Sequence, residues 1–527
     1  MDGASPLVAR DLALARGRNG AVERESELKH IHGPRLLVGS LKSEASHVRT
    51  PFFTPRYLHI WLLLTCVVAL AQGAPAHADP VATAKLRIAR ILANDGLSRS
   101  QVGVYARAVD SGRVVFARNA DAPMIPASNF KLVTTAVALA CLGPDYRFTT
   151  DLLGPPVDQG TGVVNGNLYL RGTGDPTLVE PWTRPATGPF EAFSAELRKQ
   201  GVKQVTGALV GDDSAFDRDF IGKGWLKRYL MLDYAAETAA LSINGNVMSL
   251  DVRPGKIRSY PPTTTLKYKH VVSSRGGLTV TRPTDSSTVI VQNLKPGKSL
   301  QTSLTIHNPS EYTTGVLLSI LQRDGLKFGA PMRLVEETDL PLPDGLVRYG
   351  FHESAPLLKI LKRINKHSDN LFADHVFKAI GFHRLGKGTL DNSTAAIKEQ
   401  LGKMGVDTTG LEIADGCGLS VLNRVSPRQF VQLLEGMARR PDAEVFRSTL
   451  AAGGKEGTLC GRLVGLPVYA KTGTIDGTCT LSGYVVTRAG QQIAFSILVN
   501  HHHTSNDAIR GLQDVIVKVL ADIGERI

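Results

Sequence analysis

Pro467-Val-Tyr-Ala-Lys-Thr-Gly-Thr474, then Asp476-Gly477, then Thr478-Cys-Thr-Leu-Ser-Gly-Tyr-Val-Val486 is the stretch whose reading decides the fold. β-Branched and aromatic residues flank an Asp-Gly pair, which is a strand, turn, strand signal. A second turn, Thr487-Arg-Ala-Gly490, leads into the apolar run Gln492–Val499. The chain then closes with a helical pattern over Asp507–Ile523, where Ile509, Leu512, Val515, Ile516, Val519, Leu520 and Ile523 make one apolar stripe. This order predicts an antiparallel sheet with a helix laid on it.

Working outward, Val102–Val109, the turn Asp110-Ser-Gly-Arg113 and Val114–Ala117 predict a hairpin. An amphipathic helix is expected before it, over 80–101, with Leu86, Ile88, Ile91 and Leu92 inward. After the hairpin, Ile125-Pro-Ala-Ser-Asn-Phe-Lys131 opens an apolar helix running through Ala140. Helical texture returns at Ala355–Ile364 and continues through 381, 392–404 and 426–439. Between about 148 and 350 the texture differs: glycine, proline, threonine and short alternating segments dominate, with one helix near 189–200 and no repeat of fixed period. The class is therefore α+β, helices on an antiparallel sheet interrupted by a long β-rich insertion.

The chain has 527 residues, enough for two or three domains, with 43% hydrophobic and 21% charged residues as in ordinary globular proteins. Its formal charge of +13 suits a polyanionic surface such as a cell wall. Zinc-ligand spacing, an aromatic and basic RNA-binding strand and an arginine-rich tract are all lacking, which argues against nucleic acid. Arg49 and Arg56, the apolar run Ile60–Leu70 and Ala76-His77-Ala78 read as an export signal over 48–78, cleaved after Ala78, so a periplasmic protein is expected. Residues 1–47 precede that signal and are expected to be disordered or to reflect a start assigned too early, with Val48 as the alternative. Cys141, Cys417, Cys460 and Cys479 remain after cleavage, and an oxidising compartment would let them form one or two disulfides. None lies in a metal-ligand or redox spacing. His501–His503 are adjacent, which suits a loop better than a shared ion.

Three short motifs occur in order: Ser128-Asn-Phe-Lys131, Ser368-Asp-Asn370 and Lys471-Thr-Gly473. Each alone is weak, as a second S-x-x-K at Ser26–Lys29 and a second S-x-N at Ser242–Asn244 show. Context separates them. Ser128 opens a helix, and Lys131 sits one turn on along the same face. A serine hydroxyl needs a neighbouring base to be nucleophilic, and burial can keep an amine neutral for that task. Ser368-Asp-Asn370 falls between two helices, where a loop can aim a hydroxyl and an amide into a cleft. Lys471, Thr472, Gly473 and Thr474 lie on a strand whose cation, hydroxyl and open backbone suit a peptide ending in a carboxylate.

These motifs, with Leu170-Arg-Gly-Thr-Gly-Asp-Pro-Thr-Leu178, Ala240–Asn246 and Asp415-Gly-Cys-Gly-Leu-Ser420, make the chain resemble the class C low-molecular-weight penicillin-binding proteins. These are the D-alanyl-D-alanine carboxypeptidases and endopeptidases. The gap of about 240 residues between the first two motifs is part of the likeness. Cys417 departs from it, standing where the family pattern has serine. The resemblance implies a penicillin-binding domain split into 79–148 and 350–527. It also implies an inserted domain over 149–215 and 313–349, and a third, 216–312, nested within that one. It implies Ser128 as acylated nucleophile, Lys131 as general base, Ser368 as proton relay and Asn370 as the holder of peptide or lysine. Lys471 and Thr472 would bind the terminal carboxylate, and Ser128 and Thr474 would supply the oxyanion hole. Asp212 is the candidate acid for a diamino-acid side chain, while Asp175 reads as a turn former. Implied partners are peptidoglycan stem peptides and β-lactams as covalent inhibitors, with a peripheral membrane contact left open. Neither cofactor nor metal is expected. A β-lactamase and a non-catalytic wall-binding protein are the rival readings.

Overall fold

The computed structural model describes residues 79–527 apart from positions 94 and 275. The expectations for 1–47 and for the 48–78 export signal lie outside these residues. Six antiparallel strands form the main sheet, in the order Ala451–Ala452, Val468–Ile475, Thr478–Val486, Gln492–Asn500, Gln101–Ala108 and Val114–Arg118. The hairpin predicted from the Asp476-Gly477 turn pairs Val468 through Ile475 with Val485 through Thr478. The sequence-distant strand Gln101–Ala108 joins the other side of Gln492–Asn500 over eight residue pairs, from Gln101 opposite Asn500 to Ala108 opposite Ile493.

Side chains alternate across this sheet, so each face buries its own layer. On one face Val102, Val104, Leu481 and Ile497 pack under helices Pro80–Leu92 and Asn506–Ala521. On the other, Tyr105, Tyr484, Ala494 and Leu498 pack against helices Phe130–Leu142, Leu357–His367, Asn370–Leu385, Leu390–Lys403 and Pro427–Ala438. The first helix ends at Leu92, short of the expected 101, and Leu86 is exposed while Val81, Ala84, Ile88 and Leu92 go inward. In the last helix Val515 is exposed, and Gln513 takes an inward place beside Arg462. Among the described residues no helix is long and apolar enough to cross a membrane.

The insertion leaves and rejoins the helical layer at one place, because Thr149–Gly154 pairs antiparallel with Val347–Glu353. These two strands, with Leu168–Gly172, Leu209–Asp212 and Arg333–Leu334, form a five-stranded sheet. Strands between 247 and 305 form two separate three-stranded sheets. The expected boundary at 312/313 falls inside helix Pro309–Arg323, and that at 349/350 inside strand Val347–Glu353. Composition changes gradually there, whereas the hydrogen-bonded element does not divide. All four cysteines of the described chain are free, which corrects the disulfide expectation. Cys417 and Cys479 are buried in separate clusters on opposite faces of the sheet.

Candidate active site

Ser128 lies in a short turn, Ala127–Asn129, that feeds helix Phe130–Leu142. Ala127 has φ +45°, a conformation that costs an alanine energy and is kept only where the surroundings impose it. Here they do. Thr480 Oγ1 donates to the Pro126 carbonyl at 2.9 Å, and Asn129 Nδ2 donates to Ser482 Oγ at 2.7 Å, tying the turn to the sheet. From the opposite side, a β-carbon at Gly418 would stand 1.9 Å from the Ala127 carbonyl oxygen. One at Gly473 would lie 2.2 Å from Thr480 Oγ1 and 2.9 Å from Ser128 N. Glycine at 473 therefore lets the Lys471 strand press against the serine turn.

Lys131 is fully buried, and its Nζ lies 3.0 Å from Ser128 Oγ. The amine donates to Asn370 Oδ1 at 2.6 Å and to the Cys417 carbonyl at 2.7 Å. A neutral amine has two N–H groups and one lone pair. Once the amine is neutral, the two acceptors take both N–H groups and the lone pair is left for the Ser128 hydroxyl. Burial lowers the Lys131 pKa from its ordinary value, against the opposing pull of Cys417, Asp374, Asp415 and Asp369.

Ser368 ends helix Leu357–His367 at φ +61°, and Asp369 caps helix Asn370–Leu385 by accepting from Phe372 N at 3.2 Å. This stop, cap and restart turns the Ser368 hydroxyl and the Asn370 amide into the same cleft. Lys471, also fully buried, donates to Ser368 Oγ at 2.9 Å and to the Thr472 carbonyl at 2.7 Å. Neither partner is charged. Burial first, and the neighbouring Lys131 second, hold the Lys471 amine well below its ordinary range. Beyond Lys471 the strand edge is open, since Ala451–Ala452 pairs only with Ala470 and Tyr469. Thr472 Oγ1 meets Thr458 Oγ1 at 2.8 Å on that edge. The insertion supplies one wall: the Tyr234 carbonyl accepts from Asn370 Nδ2 at 2.8 Å, and Arg228 pairs with Asp476 at the end of the strand.

Ser128, Lys131, Ser368, Asn370, Lys471 and Gly473 thus come together, with Thr472 and Thr474 on the same strand as Lys471. Asp212 does not join them. It is fully buried on strand Leu209–Asp212, opposite Arg171 of the parallel neighbour strand. Arg171 Nε donates to it at 2.7 Å and Ser214 Oγ at 2.6 Å, so each carboxylate oxygen already has a partner and the group is closed off from solvent. Asp175 is a turn former as expected, accepting from Thr177 N at 2.7 Å.

Asp415 escaped the site reading, although its motif was noted. Its carboxylate takes Gly418 N, Ser420 N, Asn423 Nδ2 and Trp225 Nε1, all within 2.8 Å, and so shapes the turn carrying the Cys417 carbonyl. Asp374, Asp415 and Cys417 are the one group of buried ligand-type side chains within mutual reach among the described residues. With both Asp415 oxygens committed to N–H donors, this is a structural knot and not a metal cradle.

A family model described as the D-Ala-D-Ala carboxypeptidase 3 (S13) family matches residues 84–523. The D-alanyl-D-alanine carboxypeptidase of Actinomadura sp. (strain R39) is 30% identical over 490 residues, 87% of this chain and 89% of that protein. D-alanyl-D-alanine carboxypeptidase DacB of Haemophilus influenzae is 28% identical over 433 residues, 77% and 87% of the two chains. The crystal structure of penicillin binding protein 4 (dacB) from Haemophilus influenzae shares the fold at a TM-score of 0.70 and 26% identity, covering 82% of this chain and 99% of that one. With the match running through all three motifs and the insertion between them, the chain belongs to the D-Ala-D-Ala carboxypeptidase 3 (S13) family of penicillin-binding serine peptidases.

Proposed function

We propose that this chain cleaves the terminal D-alanyl bond of peptidoglycan stem peptides through an ester on Ser128. The observation that carries the assignment is the buried Lys131 amine 3.0 Å from Ser128 Oγ, held by Asn370 Oδ1 and the Cys417 carbonyl, so that in its neutral form the lone pair faces the serine hydroxyl. Lys131 takes the hydroxyl proton as Oγ attacks the carbonyl of the penultimate D-alanine. Backbone N–H groups of Ser128 and Thr474 receive the developing oxyanion. Ser368, held by Lys471, passes a proton to the departing amine, and the ester is then hydrolysed. Lys471 has no carboxylate among its hydrogen-bond partners, so the substrate's terminal carboxylate is its natural counter-ion, with Thr472 beside it.

A β-lactam presents a strained amide and a carboxylate to the same groups and acylates Ser128. The related Haemophilus influenzae protein crystallised in complex with a β-lactam, at 25% identity and a TM-score of 0.66. Export to the periplasm after cleavage at Ala78 fits this substrate. The shared five-stranded sheet and the separate 247–305 strands support a nested arrangement of inserted domains.

The test is release of D-alanine from an acylated stem pentapeptide, run beside nitrocefin. The reading requires D-alanine release with at most slow nitrocefin turnover; fast nitrocefin hydrolysis without D-alanine release would make the chain a β-lactamase. Lys471→Met should lower kcat/KM on the carboxylate-ended peptide by about 100-fold, because a buried charge pair is lost. The matching C-terminal amide should be affected far less. Asp212→Asn should leave D-alanine release within about twofold and lower stability by about 1 kcal/mol, read as a shift in Tm.

A further inference from the structure

Helix Asn370–Leu385 presents two residues to the lysine region, Asn370 and, one turn on along the same face, Asp374. Asn370 touches the amine directly. Asp374 reaches it through the 415–418 turn: its Oδ1 accepts from Gly416 N at 2.7 Å, and the next residue, Cys417, offers its carbonyl to Lys131 Nζ. Thr134, on the lysine's own helix, clamps the same turn by donating to the Gly416 carbonyl at 2.6 Å. The turn cannot move toward helix Asn370–Leu385, because a β-carbon at Gly416 would stand 2.2 Å from Phe377 Cβ. Asp374 is 6% exposed, and the Cys417 thiol hydrogen-bonds to its carboxyl group. Both of these contacts of the buried carboxyl group fall on the 415–418 turn, so it is committed to holding that turn.

We propose that Asp374 is a positioning residue for the general base, holding the Cys417 carbonyl against Lys131 and placing a carboxyl group beneath the amine. The inference rests on the assignment of Lys131 as base.

Its electrostatic side follows from the surroundings. Burial first, and Asp415 second, push the Asp374 pKa up to about 7, with the Cys417 thiol and the Gly416 N–H pulling the other way, and Lys131 too. On the amine's side, Cys417 first, then Asp374, Asp415 and Asp369, favour its protonated form, and Lys471 lies alongside. A cavity of about 460 Å³ opens behind Asp374, and Lys223, Glu237, His307 and the Asp217–Lys378 pair stand on its walls. Above about pH 7 the ionised carboxylate favours the protonated amine and so raises the pH at which Lys131 becomes a free base. Removing the charge while keeping the shape must lower that pH.

The experiment is the pH profile of kcat/KM for D-alanine release by the full chain and by Asp374→Asn and Asp374→Glu. Asp374→Asn should move the acid limb to lower pH by half a unit or more, with KM unchanged. Asp374→Glu keeps the charge but displaces it by one methylene, so it should lose kcat about 10-fold with the limb unmoved. An Asp374→Asn limb that coincides with wild type overturns the proposal, as does a limb displaced equally in both variants. A wild-type chain that releases no D-alanine would instead remove the assignment of Lys131 on which it rests.

Discussion

Ser128→Ala abolishes D-alanine release, with a loss of about 10,000-fold or more, while the substrate still binds. Removing an activated nucleophile leaves only the residual acceleration from binding and oxyanion stabilisation. The neighbouring structure supports alanine at this place. Ala127 already carries the unusual backbone angle, and the turn is held by Thr480 and Asn129, not by the serine hydroxyl. The variant should therefore melt close to wild type and keep its affinity for the peptide by calorimetry. Turnover that survived in folded Ser128→Ala would mean that another group attacks.

Lys131→Ala comes second, with an expected loss of about 1,000-fold or more in acylation rate. The argument is in the hydrogen bonds: Asn370 Oδ1 and the Cys417 carbonyl orient the amine, and Lys131 Nζ is the amine hydrogen-bonded to Ser128 Oγ. The pH dependence has a definite sign. Burial lowers the Lys131 pKa, so the free amine appears below its ordinary 10.5, and acylation by wild type should rise with pH through that lowered value. The same shift opposes folding at low pH. The unfolded chain holds the lysine proton more tightly, so this group's contribution to stability increases as pH rises from the folded value toward the unfolded one. In Lys131→Ala both the limb and this stability dependence disappear. Stopped-flow acylation by a chromogenic β-lactam across the pH range measures the first.

Residues whose own side chains meet in the cleft were legible in the sequence. Ser128, Lys131, Ser368, Asn370 and Lys471, which meet in one cleft, stand in recognisable triplets, and the strand, turn, strand pattern around Asp476-Gly477 put the third triplet on a sheet edge. What sequence hid depends on partners distant in the chain. Asp374 and Asp415 work by gripping backbone N–H groups of one turn, a role with no local spacing. Asp212 was a candidate on the resemblance alone, and its pairing across to Arg171 on Leu168–Gly172, which buries it, depends on a strand distant in the chain. The helix stripes were right in period but wrong at Leu86 and Val515, since apolar identity does not say where the packing neighbour ends.

Locating the adduct after incubation of the wild-type chain with a fluorescent penicillin tests the central claim most directly. The geometry predicts a stable ester found by peptide mass spectrometry on the fragment carrying Ser128, at one label per chain. A label on any other residue, or a folded chain that takes no label, would contradict an acyl-enzyme at Ser128.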